Sequence, residues 1–173
     1  MRNPRVTAIL TAITDVRVRR SALPVRLCAE CLSALPVTGV AMTLTTAGGR
    51  VLAATDPRCR AVDELQLALG EGPGLEASAT GRPVLHPELA MTGPSRWPKF
   101  CKTVLPIGVR SLFAFPLGVG PHRLGFLGLY RDTLGRLTRP ELVDALNFAD
   151  AASVVLQHLQ DHSQLHGERP PVR

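Results

Sequence analysis

At 173 residues the chain is long enough to bury one core without disulfides or metals, and its 45% hydrophobic and 20% charged content is that of an ordinary globular domain. Aromatics make up only 4%, so the core has to be mainly aliphatic. The formal charge of +6 raises nucleic-acid binding, but Lys99 and Lys102 are the only lysines, the arginines are scattered, and the densest group, Arg17, Arg19 and Arg20, lacks the interleaved aromatics that stack on bases.

No apolar stretch reaches the length of a membrane span; the run over 112–119 is broken by Pro116 and Gly118. Residues 1–20 spread arginines among apolar positions instead of gathering them ahead of an apolar core, which is not a secretory signal. The expectation is a cytoplasmic protein with no direct nucleic-acid contact and no membrane contact. Its four cysteines are too few for a disulfide framework and are expected to be reduced.

In chain order, Val6, Ile9, Ile13 and Val16 recur at helical spacing. A second helix opens near Ser21, carries Leu27, Cys28, Cys31, Leu32 and Leu35 on one face, and stops at Pro36. Val40, Met42 and Leu44 alternate with Ala41, Thr43 and Thr45, and a second alternating run over 51–55 follows Gly48-Gly49, which predicts a hairpin. Asp56 stands as N-cap before Pro57, and Ala61, Val62, Leu65, Ala68 and Leu69 supply an apolar stripe ending at Gly70.

Residues 71–94 are rich in Gly and Pro, with a helical turn over 75–80 and a short strand over 83–86. Ser95 is placed to cap a helix carrying Trp97, Phe100, Cys101 and Val104. Two strands over 109–117 and 123–130 form a second hairpin through Gly118, Gly120 and Pro121. Thr138 and Glu141 make a capping box for a last helix running to about His162. On a helical wheel Leu142, Leu146, Ala149, Ala152 and Leu156 form a core stripe, while Phe148, Ala151 and Val155 form a second stripe, which predicts a partner helix from an identical subunit. Hairpins separated by helices give an α+β fold, a central antiparallel sheet of five to six strands with helices on both faces.

The segments Leu69-Gly70-Glu71-Gly72-Pro73, Arg82-Pro83-Val84, Arg96-Trp97-Pro98-Lys99-Phe100 and Gly108-Val109-Arg110-Ser111 resemble, at this spacing, the GAF sensor domains of actinobacterial GAF-ANTAR regulators. The resemblance implies a small-molecule or redox sensor in signal transduction and transcription regulation, with a ligand pocket over one sheet face and dimerisation through terminal helices. It divides the chain into an N-terminal helix (1–20), a GAF domain with its dimerisation helix (21–165) and a disordered tail (166–173). Two departures matter: Gly74 stands where that group commonly carries Cys, and too few residues follow the last helix for the three-helix RNA-binding output. The chain is therefore expected to signal through a separate output protein.

Trp97, Phe100, Phe113 and Phe115 are read either as core or as lining an apolar ligand cavity; Met42 and Leu44 join the cavity only through the family's geometry. The glycines at 70, 72 and 74 lack the Lys-Ser/Thr of a phosphate loop and read as a helix end followed by a turn. Cys28 and Cys31 lie on an apolar helix face and read as small core residues. His158, His162 and His166 could align on a helix for a metal but read as solvated polar residues. No catalytic motif is evident, and no metal or cofactor is expected. The enzymatic alternative is a thiol-dependent reductase of the free methionine sulfoxide type using Cys59 or Cys101.

Overall fold

Asn3 begins the first helix by accepting a hydrogen bond from the Arg5 backbone N–H, and Pro4 supplies the pre-set first position. The computed structural model describes residues 3–167; most of the tail expected over 166–173 therefore lies outside the described residues. Helix α1 (Pro4–Thr14) and helix α2 (Leu23–Ala34) are joined by a loop and a short 3-10 turn at Arg20–Ala22. Strands β1 (Gly39–Leu44) and β2 (Arg50–Ala54) form the first hairpin.

Helix α3 (Pro57–Leu69) follows the sequence signals at both ends. Asp56 accepts the Cys59 N–H at 2.8 Å, and Gly70 closes the helix at φ 67, a left-handed conformation that suits glycine. Helix α4 (Pro73–Thr80), strand β3 (Val84–His86), the single turn α5 (Leu89–Thr92), which the sequence reading omits, and helix α6 (Pro98–Val104) make up the Gly/Pro-rich middle. Strands β4 (Ser111–Val119) and β5 (His122–Arg131) form the second hairpin, and α7 (Arg139–Gly167) is the last helix. Its capping box forms as expected: Thr138 and Glu141 exchange two side-chain-to-backbone bonds, each of 3.3 Å.

The strands make one antiparallel sheet of five, in the order β2-β1-β5-β4-β3. Helices cover both faces, so both alternating sets of side chains are buried. Met42, Ala53, Phe113, Phe115, Leu127 and Leu129 face a layer made by α2 and α7, on which α1 packs. Ala41, Leu112, Ala114 and Tyr130 face the layer of α3, α4, α5 and α6.

Three expectations are corrected by this packing. Phe148, Ala151 and Val155 are not an exposed second stripe: all three are buried in one cluster with Val6 and Ile9 of α1 and Leu27 of α2. The partner helices come from the same chain, so α7 is buried on two sides within the monomer. Leu146, expected in the core stripe, is instead 39% exposed. In α3 the buried residues are Cys59, Val62, Asp63 and Gln66, whereas Ala61 and Ala68 of the expected stripe are exposed.

Candidate functional site

The helix α6 is placed by a residue far from it in sequence. Ser95 does not cap it; the Glu71 carboxylate accepts the N–H groups of Lys99 at 2.7 Å and Phe100 at 2.9 Å. Two of the helix's orphan donors are thereby satisfied by an anion at the positive end of the helix. The turn that begins at Gly70 thus ties the end of α3 to the start of α6.

Between the sheet and α3 lies a buried polar network. The Thr43 hydroxyl on β1 donates to Asp63 Oδ2 at 2.6 Å, and Gln66 Nε2 donates to Asp63 Oδ1 at 3.3 Å and to the Tyr130 hydroxyl at 3.4 Å. Gln66 Oε1 accepts the Gly74 N–H at 2.8 Å, which binds the start of α4 to α3. Burial pushes the Asp63 carboxyl up to about 7, against the hydrogen bonds from Thr43 and Gln66, which favour its anion. The Phe126 ring fills the space beside α4: a Cβ at position 74 would collide with it. That collision accounts for glycine at this position physically.

At the outer end of the same layer, beside the edge strand β3, a cleft of about 570 Å³ is rimmed by Glu76 and Thr80 of α4, Arg82, His86 and Arg96. Arg96 is held on three sides. Its guanidinium pairs with the Glu76 carboxylate, donates to His86 Nε2 at 3.2 Å, and lies 4.8 Å from the centroid of the Trp97 ring. Because a guanidinium only donates, Nε2 must accept, so the His86 proton sits on Nδ1 and is donated to Thr92 Oγ1 at 2.6 Å. The Thr92 hydroxyl passes its own hydrogen to the Glu88 carbonyl. Burial, and then the Arg96 charge, lower the His86 pKa, which keeps the ring neutral.

The six residues expected to line one cavity are divided by the sheet. Trp97 and Phe100 are buried on the α3–α6 side, whereas Met42, Phe113 and Phe115 are buried on the side of α1, α2 and α7, with Leu44 partly buried against that cluster. Phe113 contributes to a groove of about 260 Å³ with Leu85, Pro87, Arg136, Leu137 and Leu142, and Leu44 to one of about 220 Å³ against Leu156 and Leu159 of α7. Asp63, Gln66, Glu76, His86 and Arg96 were missed as site residues. The available signal for the first two was their place on one α3 stripe with Cys59 and Val62.

All four cysteines are free and buried. Burial raises every thiol above its ordinary range, Cys59 to about 12 with help from Asp56, Cys101 to about 11, and Cys28 and Cys31 further. His158 and His162 stack edge to face with ring centroids 4.7 Å apart, and the His166 side chain lies outside the described residues. Among the described residues, no helix is long and apolar enough to cross a membrane.

No protein-family model matches the sequence, and no curated protein matches it. Solved structures do match in fold. The GAF domain of a phosphoenolpyruvate-protein phosphotransferase from Acinetobacter superposes with a TM-score of 0.69 at 11% identity, over 98% of this chain and 96% of that one. A phycoerythrobilin-bound GAF domain from a cyanobacterial phytochrome gives 0.68 at 14% identity, over 92% and 96%. The free methionine-R-sulfoxide reductase from Neisseria meningitidis, in complex with its substrate, gives 0.66 at 14% identity, over 91% and 89%. The five-stranded antiparallel sheet between two helical layers is thus the fold of GAF domains.

Proposed function

We propose that this chain is a GAF-type sensing module: a small molecule in the Glu76–Arg82–Arg96 cleft biases the positions of α4 and α6, and a separate protein carries the output in signal transduction or transcription regulation. The observation that supports this reading is the cleft itself, with an arginine set in place by Trp97 and His86 and helices of the sheet's polar side at its rim. A ligand acts in such a module only through different affinities for two helix arrangements. Native mass spectrometry of protein purified from its own host tests the reading, since it reports bound mass and subunit number together. The expected result is a retained small molecule that is lost in Arg96→Gln; bare protein, with no thermal shift from a library of small metabolites, overturns it.

The module is proposed to work in the cytoplasm as a homodimer. Its contact is moved from Phe148 to the outer side of α7, where Val143, Leu146 and Val154 are 51%, 39% and 45% exposed. Val154→Glu is expected to shift sedimentation from dimer to monomer while leaving thermal unfolding unchanged; a wild-type protein that sediments as a monomer at high concentration ends the dimer proposal.

The chain is further proposed to be non-enzymatic. Raised thiol pKa values support this, because a thiolate is the reactive species. Methionine sulfoxide turnover with a thiol reductant, lost in a Cys59→Ser/Cys101→Ser variant, would move the chain into the reductase class.

A further inference from the structure

We infer that the ligand of the cleft is an anion, a small molecule bearing a carboxylate or phosphate, and that it binds by taking Arg96 away from Glu76. The inference rests on the sensing role proposed for this cleft and specifies its chemistry. Arg82 and Arg96 line the cleft with Glu76 as its single carboxylate residue, and His86 is held neutral, so the lining carries excess positive charge. The Arg82 guanidinium makes no hydrogen bond or ion pair among the described residues. It is available to a ligand.

Arg96 keeps its orientation when Glu76 leaves, because Trp97 and His86 hold it from two other directions. Preorganised donors lose little freedom on binding, and a planar guanidinium suits carboxylate and phosphate oxygens. The internal competitor is weak: the Arg96 and Glu76 side chains are 46% and 29% exposed, and an ion pair at that exposure contributes little. The two guanidinium groups disfavour a cationic ligand. An aromatic ring would find Trp97 buried, with Arg96 over its face and the His86 ring 4.7 Å away between centroids. The cleft, of about 570 Å³, is open and lined mostly by polar surface, which suits a small charged ligand better than an apolar one.

The exchange has a structural consequence. Glu76 belongs to α4, and Arg96 lies just before α6, so their pair latches the two helices across the cleft. An anion on Arg96 opens that latch while Glu71 continues to hold the start of α6.

The test uses inorganic phosphate and succinate as probes, titrated into the full chain by calorimetry and by NMR of the Trp97 indole. Glu76→Gln is expected to tighten binding at least threefold, because the competitor is removed. Arg82→Gln and Arg96→Gln are expected to weaken it at least tenfold, and Arg19→Gln in the α1–α2 loop to leave it unchanged. A gain of affinity in Glu76→Gln cannot arise from misfolding, and unchanged thermal unfolding of the Arg82 variant checks the losses. Unchanged or weaker binding in Glu76→Gln, or equal binding in Arg82→Gln and wild type, overturns the inference. If neither probe binds while the host-purified protein retains a neutral molecule, the anion inference falls and the sensing role stands. If no ligand of any charge is found, both fall.

Discussion

On one side of the sheet Met42, Phe113, Phe115 and Leu127 meet α1, α2 and α7 in an almost wholly apolar cluster, relieved on α7 by Ser153, which accepts the Gly118 N–H at 3.0 Å. On the other side Thr43, Asp63, Gln66, Tyr130 and His86 are buried in hydrogen bonds to named partners. The apolar side is held by non-directional burial and can settle in any arrangement that fills its volume. The polar side accepts only the arrangement in which every group is paired, and a change in one partner therefore alters helix position. The difference places a core that tolerates repacking under α7 and one that depends on exact pairing under α3, α4 and α6.

The largest test of that comparison is Phe148→Glu. A carboxylate at this fully buried position has no partner on the apolar side, and the cost of roughly 4 kcal/mol or more is comparable with a small domain's whole stability. The variant is expected to lose its cooperative thermal transition by circular dichroism; a folded variant with a merely altered subunit number would return Phe148 to the surface.

Next comes the pH dependence of the polar side. The folded pKa of Asp63 is raised from 3.8 to about 7, so its contribution is fully present below pH 3.8 and is lost as pH rises through about 7. The loss is about 4 kcal/mol as an upper figure by linkage. Asp63→Asn should flatten the fall of the urea midpoint across that window; an identical slope in the variant would remove Asp63 as its source.

Gly74→Ala is expected to destabilise by about 1–3 kcal/mol through overpacking against Phe126. Phe126→Leu should recover part of that loss in a double-mutant cycle, and strict additivity would show that the two do not meet. The smallest effect belongs to Glu71→Gln, which weakens the cap of α6 without changing shape. It should lower the unfolding free energy by about 1 kcal/mol, while faster amide exchange at Lys99 and Phe100 identifies the site.

Much of the fold is legible because its signals are local. Asp56 and Gly70 bound α3, and Thr138 with Glu141 opens α7, each through contacts within a few residues. The site is less legible because its contacts are not local. Alternation assigns Phe113 and Leu112 to opposite faces, yet both faces of β4 are buried, so nothing in the strand itself says which face carries the polar network and the cleft. A helical wheel likewise shows two apolar sides of α7 but not whether the second meets another chain or, as here, α1 and α2. The Glu71 cap joins residues 28 apart, and Thr43 reaches Asp63 only after the hairpin and α3 have folded together.

The length of α7 gives small motions a geometry. At about 1.5 Å per residue, His162 lies roughly 9 Å along the axis beyond Leu156, a fully buried residue near the outer end of the α7 core stretch. If the helix bends there, a bend of about 12° displaces the His162 end by about 2 Å. A displacement of that size is a substantial fraction of a side-chain contact distance. The helix can therefore act as a lever: a rearrangement too small to disturb its buried half can change which atoms its far half presents to another protein.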